Sequence, residues 1–349
     1  MTPTASGAPP AVSTPSPTAV AGQPVLAVLA TLGGNDKSPI TISLVTSDGH
    51  TVASTTASAP GRTVCTPSAG AILPVPLATS TTARRVYFLE GDAVRFLQAD
   101  GATGTATHVP VSSQVSSVFA VSGDDRRIAV SVIDFAHPGA ITLYVEDLAG
   151  GNHLEIYKGT SGSVLWPLGW HGGNLVTAVV GPCSQGGIFL AGLPTEVHLA
   201  DPGTGVRIRN LGTDCSTPYP PTPAGVVCIG APGLQLVDWS ASVTSTLARP
   251  EANFFGFVAE SPNGRYVAIS TFDGPSPGLT VRDVQNREVF AEASTSPWNA
   301  ALGFIDDDHL VIGDYGPGRP HIVTISTRAS VPVTAAGIFV GTLPGGLDR

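Results

Sequence analysis

Charged residues are scarce in this sequence. Only 12% of its 349 residues are Asp, Glu, Lys or Arg, and lysine occurs only at Lys37 and Lys158. The formal net charge is -9, and no run of basic residues could follow a phosphate backbone. Nucleic acid is therefore not an expected partner. The rarity of lysine and methionine, beside abundant Ala, Gly and Pro, indicates a GC-rich bacterial genome.

Long apolar runs and helical periodicity are also missing. No stretch approaches the roughly 18 apolar residues that span a bilayer, and no charged-then-apolar leader precedes the chain. Apolar residues do not keep helical spacing for more than about two turns anywhere. We expect an all-β chain without a membrane span.

Motifs of catalysis and metal binding do not occur. There is no Gly-x-Ser-x-Gly elbow, no phosphate-cradling loop and no His-Glu-x-x-His helix. The eight histidines lack metal-ligand spacing, and the four cysteines form no Cys-x-x-Cys pair. The sequence predicts no catalytic residue, no metal site and no cofactor.

What the chain does contain is a repeat. Seven times an apolar, strand-like stretch ends in a short polar corner, at intervals that average about 46 residues, which suits one four-stranded propeller blade. Short polar side chains that bond their own backbone favour such hairpin corners. The corner residues are Asp48, Asp100, Asp147, Asp201, Asp238, Asp283 and Ser326.

This spacing predicts a seven-bladed β-propeller of four-stranded antiparallel blades over residues 25–349. Residues 1–24 are almost wholly Thr, Pro, Ala, Ser and Gly, a composition typical of a disordered tail or stalk. Blade one is expected to begin with residues 26–30, and residues 331–342 to close the ring against it, because an unclosed propeller leaves strand edges exposed. Blades three to seven are expected to begin near Val118, Val164, Cys215, Phe254 and Ala300, and blade five looks short in its innermost strand.

A second motif supports this prediction. The stretches 122–131 (SGDDRRIAVS) and 261–270 (SPNGRYVAIS) occupy equivalent places in blades three and six, with weaker copies at 222–229 and 304–312. They resemble the Ser-Pro-Asp-Gly hairpin of TolB-type and WD40-like bacterial propellers. The resemblance implies a propeller, often in the cell envelope, that serves as a binding platform. The Gly-His and Trp-Asp dipeptides of eukaryotic WD40 repeats are missing.

The tail and the cysteines favour export. We expect an extracellular or cell-surface bacterial protein, tethered to lipid or wall through the tail. Cys215 and Cys228 flank the hairpin 222–225, where facing strands would bring them within disulfide range. Cys65 and Cys183 lie in loops and either pair across one face or stay free and buried.

Five aspartates fall in loops that should share one face of the ring, because loops leaving the second strand of each blade lie with those joining successive blades. A ring of carboxylates there would favour a cation, a polyamine or a basic loop. The competing interpretation is local turn chemistry. The aspartates are Asp36, Asp92, Asp134, Asp273 and Asp314.

The function expected from these features is a monomeric, non-catalytic binding module for a protein or small ligand on the loop face. The alternative is a glycoside hydrolase or lyase that takes its carboxylates from separate blades, which leaves no local motif. A third hypothesis is a structural module stabilised by a cation. The four tryptophans are expected to fill space between blades.

Overall fold

The computed structural model describes residues 24–31, 39–58, 78–137, 140–160, 163–180, 196–213, 221–230, 232–248, 256–271, 278–293, 299–314 and 318–349. Within these ranges the regular secondary structure is entirely β-strand. The predicted tail, apart from Pro24, lies outside them.

The strands in chain order are β1 Leu26–Ala30, β2 Ile40–Val45, β3 Thr51–Ala57, β4 Thr79–Thr81, β5 Arg85–Glu90, β6 Ala93–Gln98, β7 Thr103–His108, β8 Val115–Val121, β9 Arg127–Asp134, β10 Ala140–Asp147, β11 Leu154–Gly159, β12 Val164–His171, β13 Asn174–Val180, β14 Glu196–Ala200, β15 Arg207–Thr213, β16 Val226–Gly230, β17 Gly233–Val237, β18 Val243–Leu247, β19 Gly256–Glu260, β20 Tyr266–Thr271, β21 Gly278–Asp283, β22 Glu288–Ala293, β23 Asn299–Phe304, β24 His309–Asp314, β25 His321–Thr324, β26 Ala329–Pro332 and β27 Ile338–Leu343.

These strands form seven antiparallel sheets, one for each blade of a seven-bladed β-propeller. Six sheets have four strands, and the sheet of blade five has three described strands, in the order β16-β17-β18. Among the described strands, consecutive strands pair as a meander within each blade, and the four-stranded sheets run from an innermost first strand to an outermost fourth, with β27 as the first strand of blade one. The predicted fold class is confirmed.

Blade one closes the ring with strands from both ends of the propeller. Strand β27 pairs antiparallel with β1, from Leu26 opposite Leu343 to Ala30 opposite Ile338. Residues 26–30 are therefore the second strand of blade one, and β27 is its first. The expected closure by segment 331–342 is confirmed for residues 338–342, but the segment begins too early, since Val331 belongs to β26, the outermost strand of blade seven.

The core lies between neighbouring blades. Successive residues of a strand point to opposite sides of its sheet, so each blade presents one apolar set to the blade before it and another to the blade after it. Val227 and Leu236 of blade five, for example, pack with Val258 and Val267 of blade six. Such burial accounts for most of the stability of the ring.

Two tryptophans fill space between blades as expected. Trp170 is 4% exposed and donates its indole N–H to the Ala120 carbonyl of blade three at 3.1 Å. Trp239 of blade five is 9% exposed and donates to the carbonyl of Pro223 at 2.8 Å. Trp298 lies outside the described residues.

All seven corners found in the sequence lie between the third and fourth strands of their blades. Four of the six corner aspartates, Asp100, Asp201, Asp238 and Asp283, accept hydrogen bonds from main-chain N–H groups two to four residues ahead. Asp48 and Asp147 accept from side chains of their own corners, Thr46 and Asn152. Asp238 accepts from Ser240 N at 2.8 Å and Ser242 N at 2.9 Å, and Asp283 from Gln285 N at 3.0 Å and Arg287 N at 2.9 Å. The hairpin explanation of the corner aspartates is thus confirmed.

We expect Asp238→Ala to lower the free energy of unfolding by about 1–2 kcal/mol, because the variant leaves two backbone donors and the Ser240 hydroxyl without their acceptor. Urea unfolding followed by tryptophan fluorescence measures the change. Asp100→Ala, which removes an acceptor used by Ala102 N, is the matched control and should cost less. Equal losses in the two variants would contradict this account.

Candidate functional site

The ring has two faces. One carries the hairpins between first and second strands and the corners between third and fourth strands, and we call it the turn face. The other carries the connections from second to third strands and from each blade to the next, and we call it the loop face. Each of the described aspartates of the predicted ring, Asp92, Asp134 and Asp314, lies on the loop face, in a connection or at the strand end that leads into it.

Three of the five aspartates are described. Asp134 ends β9, Asp314 ends β24, and Asp92 lies in the turn between β5 and β6. Asp36 and Asp273 lie outside the described residues, as does the aromatic neighbour Tyr315. Among the described residues, the aspartates come from blades two, three and seven and are not drawn into one cluster, so the predicted ring stays a prediction.

Glu90 is a further carboxylate at the loop-face end of a second strand, and it was not predicted from the sequence. Glu90 is the last residue of β5, the second strand of blade two, as Asp134 is of blade three and Asp314 of blade seven. Three second strands therefore end in an acid on the loop face. The stretch Glu90-Gly91-Asp92 contains both acids, and the sequence prediction named the turn residue Asp92 instead of the strand-end residue Glu90.

Asp134 is engaged with its own loop. Its carboxylate accepts from Ala136 N at 2.8 Å and lies 2.9 Å from His137 Nδ1. The hydrogen bond with His137, followed by that with the Ala136 backbone, holds the pKa of Asp134 below its ordinary value. Asp134 is thus a turn former and, at the same time, an anion at neutral pH.

The two acids of blade two also have basic partners. Glu90 lies 2.5 Å from Arg95 and accepts from Ser58 N at 2.8 Å, and these bonds lower the pKa of Glu90. Asp92 lies 3.4 Å from His108 Nδ1, with both side chains 65% exposed. Like Asp134, these acids therefore carry charge partners, and no group of three or more metal-ligating side chains occurs among the described residues.

A segment of the chain itself lies at the centre of the turn face. After β27 the chain continues as residues 344–349, which we call the C-terminal segment. Gly345 N donates to Thr82 O of blade two at 2.7 Å, Leu347 contacts Gly169 of blade four, and Arg349 reaches Ile305 O of blade seven at 3.5 Å. Because these blades are spread around the ring, the segment crosses its axis and covers the middle of the turn face.

Two ionisable groups are buried in the blades, Glu260 and His198, and sequence analysis identified neither. Glu260 ends β19, is 8% exposed and accepts from the Thr222 hydroxyl of blade five at 3.0 Å. Burial raises its pKa to about 7 despite that hydrogen bond. His198 of β14 is 5% exposed, and burial, reinforced by the charge of Arg207, lowers its pKa to about 4. Each occupies an ordinary inward position of a strand, so no local pattern marks it.

Of the four cysteines, only Cys228 is described. It is 2% exposed in β16 and is not a free thiol. Cys215, Cys65 and Cys183 lie outside the described residues. The pairing of Cys215 with Cys228 remains a prediction.

Together these features define the class of protein: a seven-bladed β-propeller similar to TolB-type and WD40-like propellers, with acids at strand ends on one face and its own chain across the other. No helix among the described residues has the length and hydropathy to span a membrane.

Comparison with known proteins supports the fold. No protein-family model and no curated protein sequence matches the chain. Among solved structures, TolB from Acinetobacter baumannii is similar at 14% identity and a TM-score of 0.46 over 78% of this chain and 64% of that one. A prolyl endopeptidase is similar at 12% identity and a TM-score of 0.52, over 90% of this chain and 50% of that one. The dihydro-heme d1 dehydrogenase NirN is similar at 12% identity and 0.51, over 91% and 75%.

The chain therefore spans about half to two thirds of the length of the first two of these structures. At such identities the similarity concerns the fold alone, and the activities of those proteins do not transfer with it.

Proposed function

We propose that this protein is a secreted or surface-tethered bacterial propeller that binds a cationic ligand, a basic protein segment or a small polyamine, on its loop face without chemical turnover. The observation that carries the proposal is the shared position of Glu90, Asp134 and Asp314 at the ends of second strands. Anionic groups on one face raise the local concentration of a cationic partner. Export, tethering through residues 1–24 and a monomeric state belong to the same proposal.

The state of the loop-face acids Glu90 and Asp134 supports binding over catalysis on that face. A glycoside hydrolase needs one carboxylic acid with a raised pKa to protonate the leaving group. The pKa of Asp134 is lowered by His137, and that of Glu90 is lowered by Arg95. Both acids are therefore ionised at neutral pH and unsuited to donate a proton.

We expect spermidine and a basic peptide to raise the melting temperature of the chelated protein by several degrees through preferential binding to the folded state. The double variant Asp134→Asn/Asp314→Asn should lose this shift. Its own melting temperature should stay close to that of the parent, because the amide oxygen introduced by Asp134→Asn still accepts from Ala136 N. Differential scanning fluorimetry at low ionic strength measures both quantities, and the shift should shrink as salt is added.

Asp147→Asn is the matched control, since it removes one negative charge from the turn face. It should keep the shift. If the control loses the shift as fully as the double variant, binding does not involve the loop face. If neither probe shifts the parent, the aspartates are turn formers only. Turnover of envelope or plant polysaccharides by the purified protein would replace the proposal by the enzymatic alternative.

A further inference from the structure

The C-terminal segment places three consecutive side chains of different chemistry in three different surroundings on the turn face. Leu347 is 7% exposed and belongs to a core cluster built from blades three, four and five. Gly169 opposite it leaves the space, because a Cβ added at Gly169 would lie 2.8 Å from Leu347 Cδ1. The first of the three surroundings is thus an apolar pocket.

Asp348 occupies an anion pocket on blade four. Its carboxylate accepts from Gly172 N at 2.8 Å and lies 3.1 Å from His171 Nδ1. The imidazole is held in place by stacking on Trp239, with ring centroids 4.4 Å apart and an interplanar angle of 13°. Burial opposes the charge of Asp348, but the bonds from His171 and Gly172 outweigh it and lower the pKa of this carboxyl.

Arg349 lies at an exposed position on the opposite side of the axis. Its guanidinium donates to the carbonyl of Pro344 in its own segment at 2.9 Å and to that of Ile305 in the ring at 3.5 Å. Burial of the guanidinium lowers the pKa of Arg349, and the charges of Asp307 and Asp306 oppose that effect without outweighing it. An apolar, an acidic and a basic side chain are therefore each met by groups of complementary chemistry.

The segment is held differently from the strand before it. Strand β27 is joined to β1 by a ladder of paired residues, whereas Leu347, Asp348 and Arg349 contact the ring mainly through their side chains, with one main-chain contact from Leu347 O to His171 Nδ1 at 3.1 Å. Pockets that select side chains one by one are the way in which a propeller face recognises a peptide, since specificity comes from convergent polar groups around an apolar anchor.

We propose that the centre of the turn face is a peptide-recognition site, occupied in cis by residues 347–349, and that its partner is a peptide with an apolar, an acidic and a basic residue in succession. The resident segment then acts as a competitive occupant. This site lies on the face opposite to the proposed cation-binding face. A result that contradicts one proposal therefore leaves the other unaffected.

The short chain that links residues 347–349 to β27 determines how strongly these residues compete with a free peptide. A segment linked by a short chain acts at an effective concentration on the order of millimolar, so a free peptide that binds the empty site at about 10 μM would show an apparent Kd about 100-fold weaker against the intact chain. Weakening the resident contacts removes this competition. The difference between the two chains is the signature to measure.

The test uses a fluorescent Pro-Gly-Gly-Leu-Asp-Arg peptide and fluorescence anisotropy. The full chain carrying Leu347→Ala and Asp348→Asn should bind it about 100-fold more tightly than the parent does. A peptide with Leu, Asp and Arg in reverse order should not bind. Adding Gly169→Ala to the double variant should abolish binding, because the new methyl group fills the apolar pocket. A thermal melt of each variant shows that the ring is folded.

Hydrogen exchange on the unmodified chain tests the proposal even if the double variant does not fold. The amides of Gly172 and Gly345 donate to Asp348 and Thr82, and they should exchange through local opening, well before the amides of β27. Exchange of both only with global unfolding would overturn the proposal, because the site would never become free. Absence of peptide binding by a folded double variant, or its dimerisation through its own segments without peptide binding, would also overturn it.

Discussion

Replacing Glu260 by glutamine should make the protein more stable at pH 8 by about 3 kcal/mol and leave it nearly unchanged at pH 4. The carboxyl is buried between blades five and six, and its pKa in the folded chain is about 7 against an ordinary value of 4.5. Between these values the unfolded chain releases the proton while the folded chain keeps it. The stabilising effect of the protonated acid is therefore complete below pH 4.5 and is lost as the pH rises through 7.

Glutamine keeps the shape of the neutral acid and still accepts from the Thr222 hydroxyl, but it never ionises. Urea unfolding at half-unit intervals from pH 4 to 9 measures the difference between parent and variant. The control is Glu288→Gln, a substitution at an exposed position of β22, which should not change the pH profile. Parallel profiles for the parent and Glu260→Gln would show that Glu260 ionises freely in the folded state.

Replacing His198 by glutamine should stabilise the protein at pH 4 by about 3 kcal/mol relative to the parent, with little difference above pH 7. The pKa of this buried imidazole is about 4 in the folded chain against 6.5 ordinarily. A proton therefore binds the unfolded chain first as the pH falls. The stability contributed by the neutral imidazole is complete above pH 6.5 and is lost as the pH falls through 4.

The charges around His198 explain why Glu196 does not raise its pKa. Glu196 Oε1 lies 3.5 Å from His198 Nδ1, but the same oxygen lies 2.6 Å from Arg207. Arg207 neutralises the carboxylate and adds its own positive charge near the ring. His50→Gln, in an exposed corner of blade one, is the control and should leave the acid limb of the profile unchanged. Loss of stability in His198→Gln at every pH would indicate a packing role that outweighs ionisation.

The repeat made most of the fold predictable. Corner aspartates have a local cause, the hydrogen bonds to nearby backbone, so the seven corners located seven blades and placed the third and fourth strands of each. Several first strands followed from the spacing of the blades, since the expected starts Val118, Val164 and Ala300 lie in β8, β12 and β23. The three-residue strand β4 was not foreseen, and the closing segment 331–342 contained residues 338–342 of β27 but began inside β26.

The functional residues also divide into those that a local sequence pattern or the topology identifies and those that depend on distant contacts. Asp134 and Asp314 were placed on the loop face correctly because topology alone decides the face. Glu260 was missed because its partner Thr222 comes from a neighbouring blade, and His198 because its burial and the nearby charge of Arg207 arise only when the blade is folded. A strand sequence looks the same whether or not such a neighbour is present. The contact of Asp348 with Gly172 joins residues 176 positions apart, which no local pattern encodes.

The pairing of β27 with β1 also bears on biosynthesis. On a ribosome, blades two, three and four have all their strands available soon after each emerges, and they can form in order. Blade one cannot, because its innermost strand follows all the other strands of the ring in the chain. Until β27 is made, β1 exposes an apolar edge to which another nascent chain could add. The ring closes only after the other blades have been made, so a chaperone that shields β1 would increase the yield of folded protein more than one that assists any later blade.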